Sequence, residues 1–410
     1  MPKQSKNSPL TTVILTVFID LLGFGIVIPL LPVYSKVYGA SELQLGLLFA
    51  SFSAMQFLFA PVWGAISDRF GRRPVLIGGL FGTCASYLLF AFADSLGALF
   101  AARILAGFFG ANISTAQAYI ADVTEPKDRA KGMGLIGAAF GLGFTFGPLV
   151  GGELVAFSQS TPGFFAAGLS FVAGAYGFLR LREPEQKDSK NSRRFGGNTF
   201  KRVATDPRLC VPLLLYFLAL LAFSGFETMF IRYGLVRFPD VFGLSDSVAT
   251  ASVDQVLAAA PLAGRYLFFI GLIAALIQGG LIRKLVPRFG ETRLIILGPL
   301  LLGLSLAIIG LAPTWSVVLI GCLVMPFGFG LNNPSLNSLI SRAAPDDQQG
   351  AILGLNQSLG SLARVVGPLL AGALFTGLDP SAPFLAGAGI LFIAAAMAIQ
   401  YRRRFGATFE

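Results

Sequence analysis

The sequence predicts an all-α polytopic membrane protein whose twelve transmembrane helices form two pseudo-symmetric six-helix bundles. Three observations carry this expectation. The first is composition: of 410 residues, 54% are hydrophobic and only 13% charged, whereas a soluble domain carries roughly 25% charged residues. So little polar surface cannot cover a water-soluble fold of this size, and the same figures exclude a disordered chain or a disulfide-rich secreted one. The second is a set of twelve apolar runs, each close to the ~20 residues that cross roughly 30 Å of hydrocarbon. The third is an internal repeat. Arg69-Phe70-Gly71 recurs as Arg288-Phe289-Gly290, Gly110-x-Asn112 as Gly330-x-Asn332, and Gly147-Pro148 as Gly367-Pro368, at an offset of 219 or 220.

The runs cover residues 11–33, 44–66, 74–93, 97–120, 132–155, 163–179, 209–231, 266–282, 294–312, 315–339, 351–376 and 382–401. They are too long for strands and lack the alternation of a barrel, so they are helices. The first is too long and too polar at its end for a cleaved signal peptide, and no small-residue cleavage pattern flanks it; it is the first span. A short basic turn, 67–73, joins the second run to the third. The fourth contains Arg103, and the fifth has glycine every four residues. After the sixth, the polar, basic stretch 182–208 reads as a linker between an N-terminal bundle, 1–181, and a C-terminal bundle, 209–410. The repeat offset exceeds half the chain, so the second half holds extra residues. They fall in the segment 233–264, much longer than its counterpart 34–43, and within it 247–260 is either a short surface helix or an ordinary long loop.

Lys and Arg fix the expected orientation. With the N-terminus inside, 25 of the 31 basic residues fall in the tails and loops of the cytoplasmic side. The outer loops hold Lys36, Arg232, Arg237 and Arg265, and Arg103 and Arg364 lie within spans. Both termini are therefore expected in the cytoplasm of a cell (inner) membrane protein. The net charge of +10 is then a topology signal, and nucleic acid is not an expected partner. There is no His, which removes the commonest metal ligand and general base. Cys84, Cys210 and Cys322 lie in or beside apolar runs and imply no disulfide framework. Neither a metal nor a cofactor is expected.

Twelve helices in two repeats with a charged linker is the plan of an alternating-access secondary transporter. Local motifs sharpen it. The stretch GAISDRFGRRPVL (64–76) resembles the signature loop of the major facilitator superfamily. FIDLLGFGIVIPLLP (18–32), RILAGFFGA (103–111), AYIADVTEPKDRAKGMGL (118–135) and GFTFGPLVGG (143–152) resemble its twelve-span drug:proton antiporter branch, the group containing tetracycline exporters. The match is dense in the first half and sparser in the second. It implies the major facilitator fold and a monomeric exporter that exchanges protons for small amphipathic drugs or metabolites.

Each motif also has a physical reading. Asp68 ends the second run, at a helix C-terminus whose dipole disfavours an anion, so it needs a partner. The neighbouring arginines and the start of the eleventh span near Gly350 are both candidates. The resemblance implies a conformational latch built from Gly64, Asp68, Arg69, Gly71, Arg72 and Arg73; the plainer reading is a short loop obeying the positive-inside rule. In the fifth span Gly143, Gly147 and Gly151 stack on one face beside Pro148 and Gly152, which lets another backbone approach. The resemblance implies that this face seals against a helix of the other half, with Pro148 as a hinge. Span eleven holds a worn copy, Ala363-xxx-Gly367-Pro368-xx-Ala371-Gly372.

Asp20, Arg103, Glu153, Glu227 and Arg364 are the ionisable groups expected inside spans, each costing about 2.5–3.5 kcal/mol at mid-membrane on insertion scales. The exporters have an aspartate in the motif matching Asp20, making it the expected proton carrier, with Arg103 as its modulator or as a fixed structural ion pair. Glu227 is a second coupling acid, a site for a cationic substrate, or a snorkelling rim residue. Arg364 either neutralises Glu227 or binds an anionic substrate, and the exporter pattern contains neither residue. Glu153 reads as interfacial. Gln56, Asn112, Gln117, Tyr119, Gln278, Asn332, Asn333, Asn337, Asn356 and Gln357 are cavity candidates; interhelical hydrogen bonds explain many such residues without a ligand. A facilitator or proton symporter importing a sugar, metabolite or peptide is the closest rival. An enzyme has little chemistry to use here, and no Walker-type loop supports ATP drive.

Overall fold

Backbone groups in hydrocarbon must be satisfied within the segment, so apolar runs of this length become helices and break only where sequence forces them to. The computed structural model describes residues 8–111, 113–124, 126–184, 203, 205–244, 251–277, 288–345 and 349–409. The helices are α1 (Ser8–Val27), α2 (Leu30–Val37), α3 (Glu42–Phe70), α4 (Arg72–Ala91), α5 (Leu96–Gly110), α6 (Ile113–Val123), α7 (Pro126–Val155) and α8 (Thr161–Arg180) in the first half. The second half has α9 (Pro207–Arg237), α10 (Val253–Ala258), α11 (Ala260–Leu276), α12 (Glu291–Gly310), α13 (Trp315–Ala343), α14 (Gln349–Gly377) and α15 (Ala382–Phe409). Among the described residues, eleven helical segments are long and apolar enough to cross a membrane. Over the expected fifth span, α7 has 30 residues, or about 45 Å at 1.5 Å per residue.

Several boundaries differ from the apolar runs. The first run is two helices, α1 and α2, because Pro29 caps α2 and has no N–H to offer the Gly25 carbonyl one turn back. The fourth run is divided into α5 and α6 after Gly110. Beyond the expected end at 231, α9 runs to Arg237, so Arg232 is a helix residue and fully buried, not part of an outer loop. Arg265 likewise lies within α11. The segment 247–260 contains the short helix α10, closed by a capping box: the Ser252 side chain accepts from the Gln255 N–H, and the Gln255 side chain accepts from the Ser252 N–H. Ser41 and Gln44 start α3 with the same reciprocal bonds.

Two compact units result. One comprises Met1–Ala40, Ser51–Asn191 and Ser252–Gly271; the other comprises Ser41–Ala50, Ser192–Ala251 and Leu272–Glu410. Each therefore takes a short segment from the other half of the sequence. In the first, α1 packs on α7 and α8, and α4 on α5 and α8. In the second, α9 packs on α14 and α15, and α12 on α13 and α15. These are the same partnerships one repeat later. The backbone repeats as well: Gly71 and Gly290 open α4 and α12 with φ of 102° and 75°, a region L side chains rarely enter. The cores are apolar, centred on Val13, Val17, Leu21, Leu76 and Tyr119 in the first unit and on Leu209, Leu213, Ile295, Leu336 and Leu339 in the second.

Candidate functional site

The acid of α1 sits in the first unit. Ser170 of α8 donates a hydrogen bond to Asp20 Oδ1 at 3.2 Å, and among the described residues no ion pair holds this carboxylate. Arg103 of α5 is 2% exposed. Its guanidinium lies 4.3 Å from the centre of the Phe52 ring and 5.7 Å from that of Phe24. Phe24 stacks on Phe52 at 4.8 Å and meets Phe144 edge-on at 5.6 Å. Buried Tyr87 lies within electrostatic reach of both Asp20 and Arg103. The structure thus gathers the expected proton carrier and its expected modulator around one tyrosine and a small aromatic box, where a cation gains from ring faces. Close approach of α5 to α3 makes the box possible, because a Cβ on Gly107 would lie 2.9 Å from the Phe52 Cα.

At one end of the first unit, Arg72 gathers acids. Its Nη1 is 2.5 Å from Asp68 Oδ1 and its Nε 3.1 Å from Asp122 Oδ2, and Nη1 also donates to Ser67 Oγ at 2.7 Å. One partner of Asp68 is thus a neighbouring arginine, four positions on across the turn into α4. Arg73 donates to the Phe178 carbonyl at 2.8 Å, Arg69 lies over the Phe70 ring, and Gly64 has open space around it. Sequence reasoning missed Glu183, whose two carboxylate oxygens accept the backbone N–H groups of Arg72 and Arg73 at 2.5 and 3.0 Å.

The second half makes the equivalent pair with its signs exchanged. Arg72 corresponds to Glu291 and Asp122 to Arg342 by the repeat offset, and Arg342 Nη1 is 2.9 Å from Glu291 Oε2. Coulomb attraction is indifferent to which helix carries which sign, but a helix N-terminus is not. Glu291 opens α12 favourably, whereas Arg72 and Arg73 open α4 with the wrong charge. Glu183 supplies the missing anion. Glu183→Ala is therefore expected to destabilise the protein by about 1 kcal/mol, the usual worth of a lost N-cap. Glu183→Gln should recover part of it by keeping one acceptor. Thermal unfolding in detergent checks this, and equal midpoints for all three proteins would refute the cap.

The glycines of α7 have two faces. Gly143, Gly147 and Gly151 meet the backbone of α1 at Leu21, Gly25 and Ile26. Gly152 meets Ala260 of α11, and the Pro148 carbonyl meets Gly264. The expected contact with the other half of the sequence is thus made by Gly152 and the Pro148 carbonyl, while the four-residue stripe joins α7 to α1. The second unit repeats this arrangement: Gly46 of α3 meets the Pro368 carbonyl, and Gly372 meets the Glu42 carbonyl. Beside the first contact, Arg265 Nε is 2.7 Å from Glu153 Oε1. Beside the second, Arg232 Nε is 2.8 Å from Glu42 Oε1. Both pairs escaped the sequence reading.

The cavity candidates separate by burial. Tyr119 is fully buried and donates to the Arg182 carbonyl at 2.7 Å, so it is a core residue of the first unit with no face left for a ligand. Asn332 is also fully buried, against Gly298 of α12, and among the described residues neither amide atom is hydrogen-bonded. It belongs to the interior of the second unit. Gln56, half-buried, donates to the Gly110 carbonyl at 3.2 Å. Gln117, Asn333 and Glu227 are half-buried, and Asn337 and Gln357 exposed. Buried Asn356 donates to Asn337 Oδ1 at 2.8 Å. Arg364 is half-buried in the middle of α14. Asn112 and Gln278 lie outside the described residues, as does most of the linker.

Two repeats of membrane-length helices, with an acid and a cation deep inside the first, define a polytopic carrier of small molecules. The chain belongs to the Major Facilitator Superfamily, whose model matches residues 13–368 and 266–407. The class C tetracycline resistance protein of Escherichia coli is 33% identical over 380 residues, covering 91% of each chain. Multidrug resistance protein 2 of Bacillus subtilis (strain 168) is 29% identical over 415 residues, covering 98% of each. The crystal structure of the human organic anion transporter MFSD10 (TETRAN) is similar with a TM-score of 0.71 and 29% identity, covering 97% of this chain and 100% of that one. The chain is a major facilitator transporter.

Proposed function

We propose that this transporter is a proton-coupled antiporter that exports small amphipathic organic molecules by alternating access. On this reading it is a monomer in the cell inner membrane, both termini are cytoplasmic, and the bundles 1–181 and 209–410 are joined by the linker 182–208. The supporting observation is Asp20: a carboxylate deep in α1, hydrogen-bonded by the neutral Ser170 hydroxyl and near buried Arg103. An acid without a fixed counter-ion can gain and lose a proton as its access changes, and its charge state then biases one conformation over the other. Relatives named for tetracycline and multidrug resistance support export as the direction. The latch residues around Asp68 and the contacts at Gly152 and Gly264 are proposed to hold the alternating conformations, with Glu227 as a second coupling acid.

Inverted membrane vesicles holding an acid-inside gradient test this. Tetracycline, an anionic dye and a lipophilic cation are added in turn. At least one is expected to discharge the gradient with the native protein and none with Asp20→Asn, while the labelled compound still exchanges down its own gradient. If solute moves without any proton flux, the protein is a facilitator and Asp20 is structural.

A further inference from the structure

The second unit contains a polar stripe that neither its core nor the proton site uses. On α14, Gln357, Ser361 and Arg364 are spaced i, i+4 and i+7, which places them on one helix face. Arg364 lies 15 residues after the first residue of this 29-residue helix and 13 before its last, too deep to snorkel to either surface. Its carbonyl lacks the usual i+4 donor, because Pro368 has no N–H. Among the described residues nothing pairs with, hydrogen-bonds to or stacks on its side chain. Among the described ion pairs of the second unit, Glu42 holds Arg232 and Glu291 holds Arg342. At the repeat-equivalent position the first unit has Phe144, packed edge-on against Phe24. The cation is therefore a particular of this half, not a requirement of the fold.

A membrane-buried guanidinium without a fixed partner needs a counter-charge for at least part of its working cycle. We propose that this face of α14 binds the cargo directly and that the cargo is an organic anion: an amphipath bearing a carboxylate or sulfonate that takes paired hydrogen bonds from Arg364, with Gln357 and Ser361 beside it. Planar, bidentate recognition of a carboxylate is what guanidinium chemistry favours. This rests on the reading of the protein as a carrier of small organic molecules, and is independent of whether protons drive it.

Equilibrium binding to purified protein at fixed pH, with no gradient present, separates the two. The probes share one ring scaffold and differ in charge: carboxyfluorescein, an anion, and rhodamine 123, a cation. Carboxyfluorescein is expected to bind at least tenfold more tightly. Arg364→Gln should weaken it by about 10- to 100-fold, the range for a lost charge-assisted hydrogen bond, and leave rhodamine 123 unchanged or improved. Arg364→Lys should keep part of the preference, showing that charge at this site and not folding is being read. Equal affinity for the two dyes, preference for the cation, binding of neither, or unchanged binding of the anion by Arg364→Gln would each overturn the proposal. A failed proton-flux experiment with these results in place would sink antiport and leave anion recognition standing.

Discussion

Arg232→Ala is expected to destabilise the protein by about 3 kcal/mol, and the paired change Arg232→Met with Glu42→Gln to restore most of that loss. Arg232 is among the largest fully buried side chains, 1% exposed, within the packed stretch Phe230–Leu235 of α9. Its Nε lies 2.8 Å from Glu42 Oε1. Removing one partner of a buried pair strands the other, and such changes cost about 3–5 kcal/mol. The lower end applies here because Glu42 is 18% exposed and opens α3, where the helix dipole favours an anion even without the arginine. A methionine of similar length keeps the packing, and a neutral glutamine removes the stranded charge. Arg232→Lys should lie between, since it keeps the charge and loses the planar geometry. Thermal unfolding in detergent at one lipid-to-protein ratio is the measurement. A loss below about 1 kcal/mol for Arg232→Ala would mean that solvent screens the pair as it does surface pairs. The pair also fixes the first turn of α3 to α9 within the second unit, beside the contacts of Gly46 with α14 and of Gly372 with the start of α3.

Local chemistry made most of the fold legible. Apolar runs became helices because hydrocarbon admits no other use of twenty apolar residues. The RFG repeat became paired glycines of positive φ because the turn into α4 and α12 requires that conformation. The break between α1 and α2 at Pro29 and the capping box of Ser252 and Gln255 at the start of α10 are equally local, but the apolar run 11–33 reads as one span and 247–260 as either a helix or a loop. What escaped was set by contacts distant in sequence. Glu42 and Arg232 are 190 positions apart and Glu183 lies 111 from Arg72; nothing local distinguishes them from ordinary loop charges. Asn332 and Tyr119 were drawn toward a cavity because a polar residue in an apolar run invites that reading. Only packing shows that one faces Gly298 and the other the apolar core of α1 and α4. Arg72 and Glu291 show a further limit. The repeat was visible in glycines and prolines, whereas its inner ion pair had exchanged signs and could not be found by matching identities.

Leucine at Gly147 is expected to be the most damaging single change in the first unit, and leucine at Gly141 of the same helix close to neutral. A Cβ added at Gly147 would lie on the backbone of Gly25, 2.5 Å from its Cα, with the Ile26 nitrogen at 2.8 Å. A Cβ at Gly143 would lie 2.8 Å from the Leu21 carbonyl oxygen. These neighbours are backbone atoms of α1 and cannot rotate away. Overpacking in a core costs about 1–3 kcal/mol when side chains can yield; with backbone against backbone, the cost should reach the upper end or exceed it. Among the described residues nothing lies within 4 Å of a Cβ added at Gly141, so leucine there is accommodated without a clash and gains helix propensity. Expression yield and melting midpoint should therefore fall for Gly147→Leu and hold for Gly141→Leu. Gly152→Leu is the informative third variant. Its added Cβ would meet the Ala260 carbonyl of α11 at 2.7 Å, a contact that joins the two halves of the sequence and leaves the α1 face untouched. It should spare the packing of α1 on α7 and weaken the hold of α7 on α11, seen as faster proteolysis in the chain just before α11 with little loss of yield. If Gly147→Leu and Gly152→Leu behave alike, the two faces of α7 do not have the separate roles their neighbours assign. If they differ as expected, a transport defect at Gly147 reports a misfolded bundle, whereas a defect at Gly152 reports the contact of α7 with α11 alone.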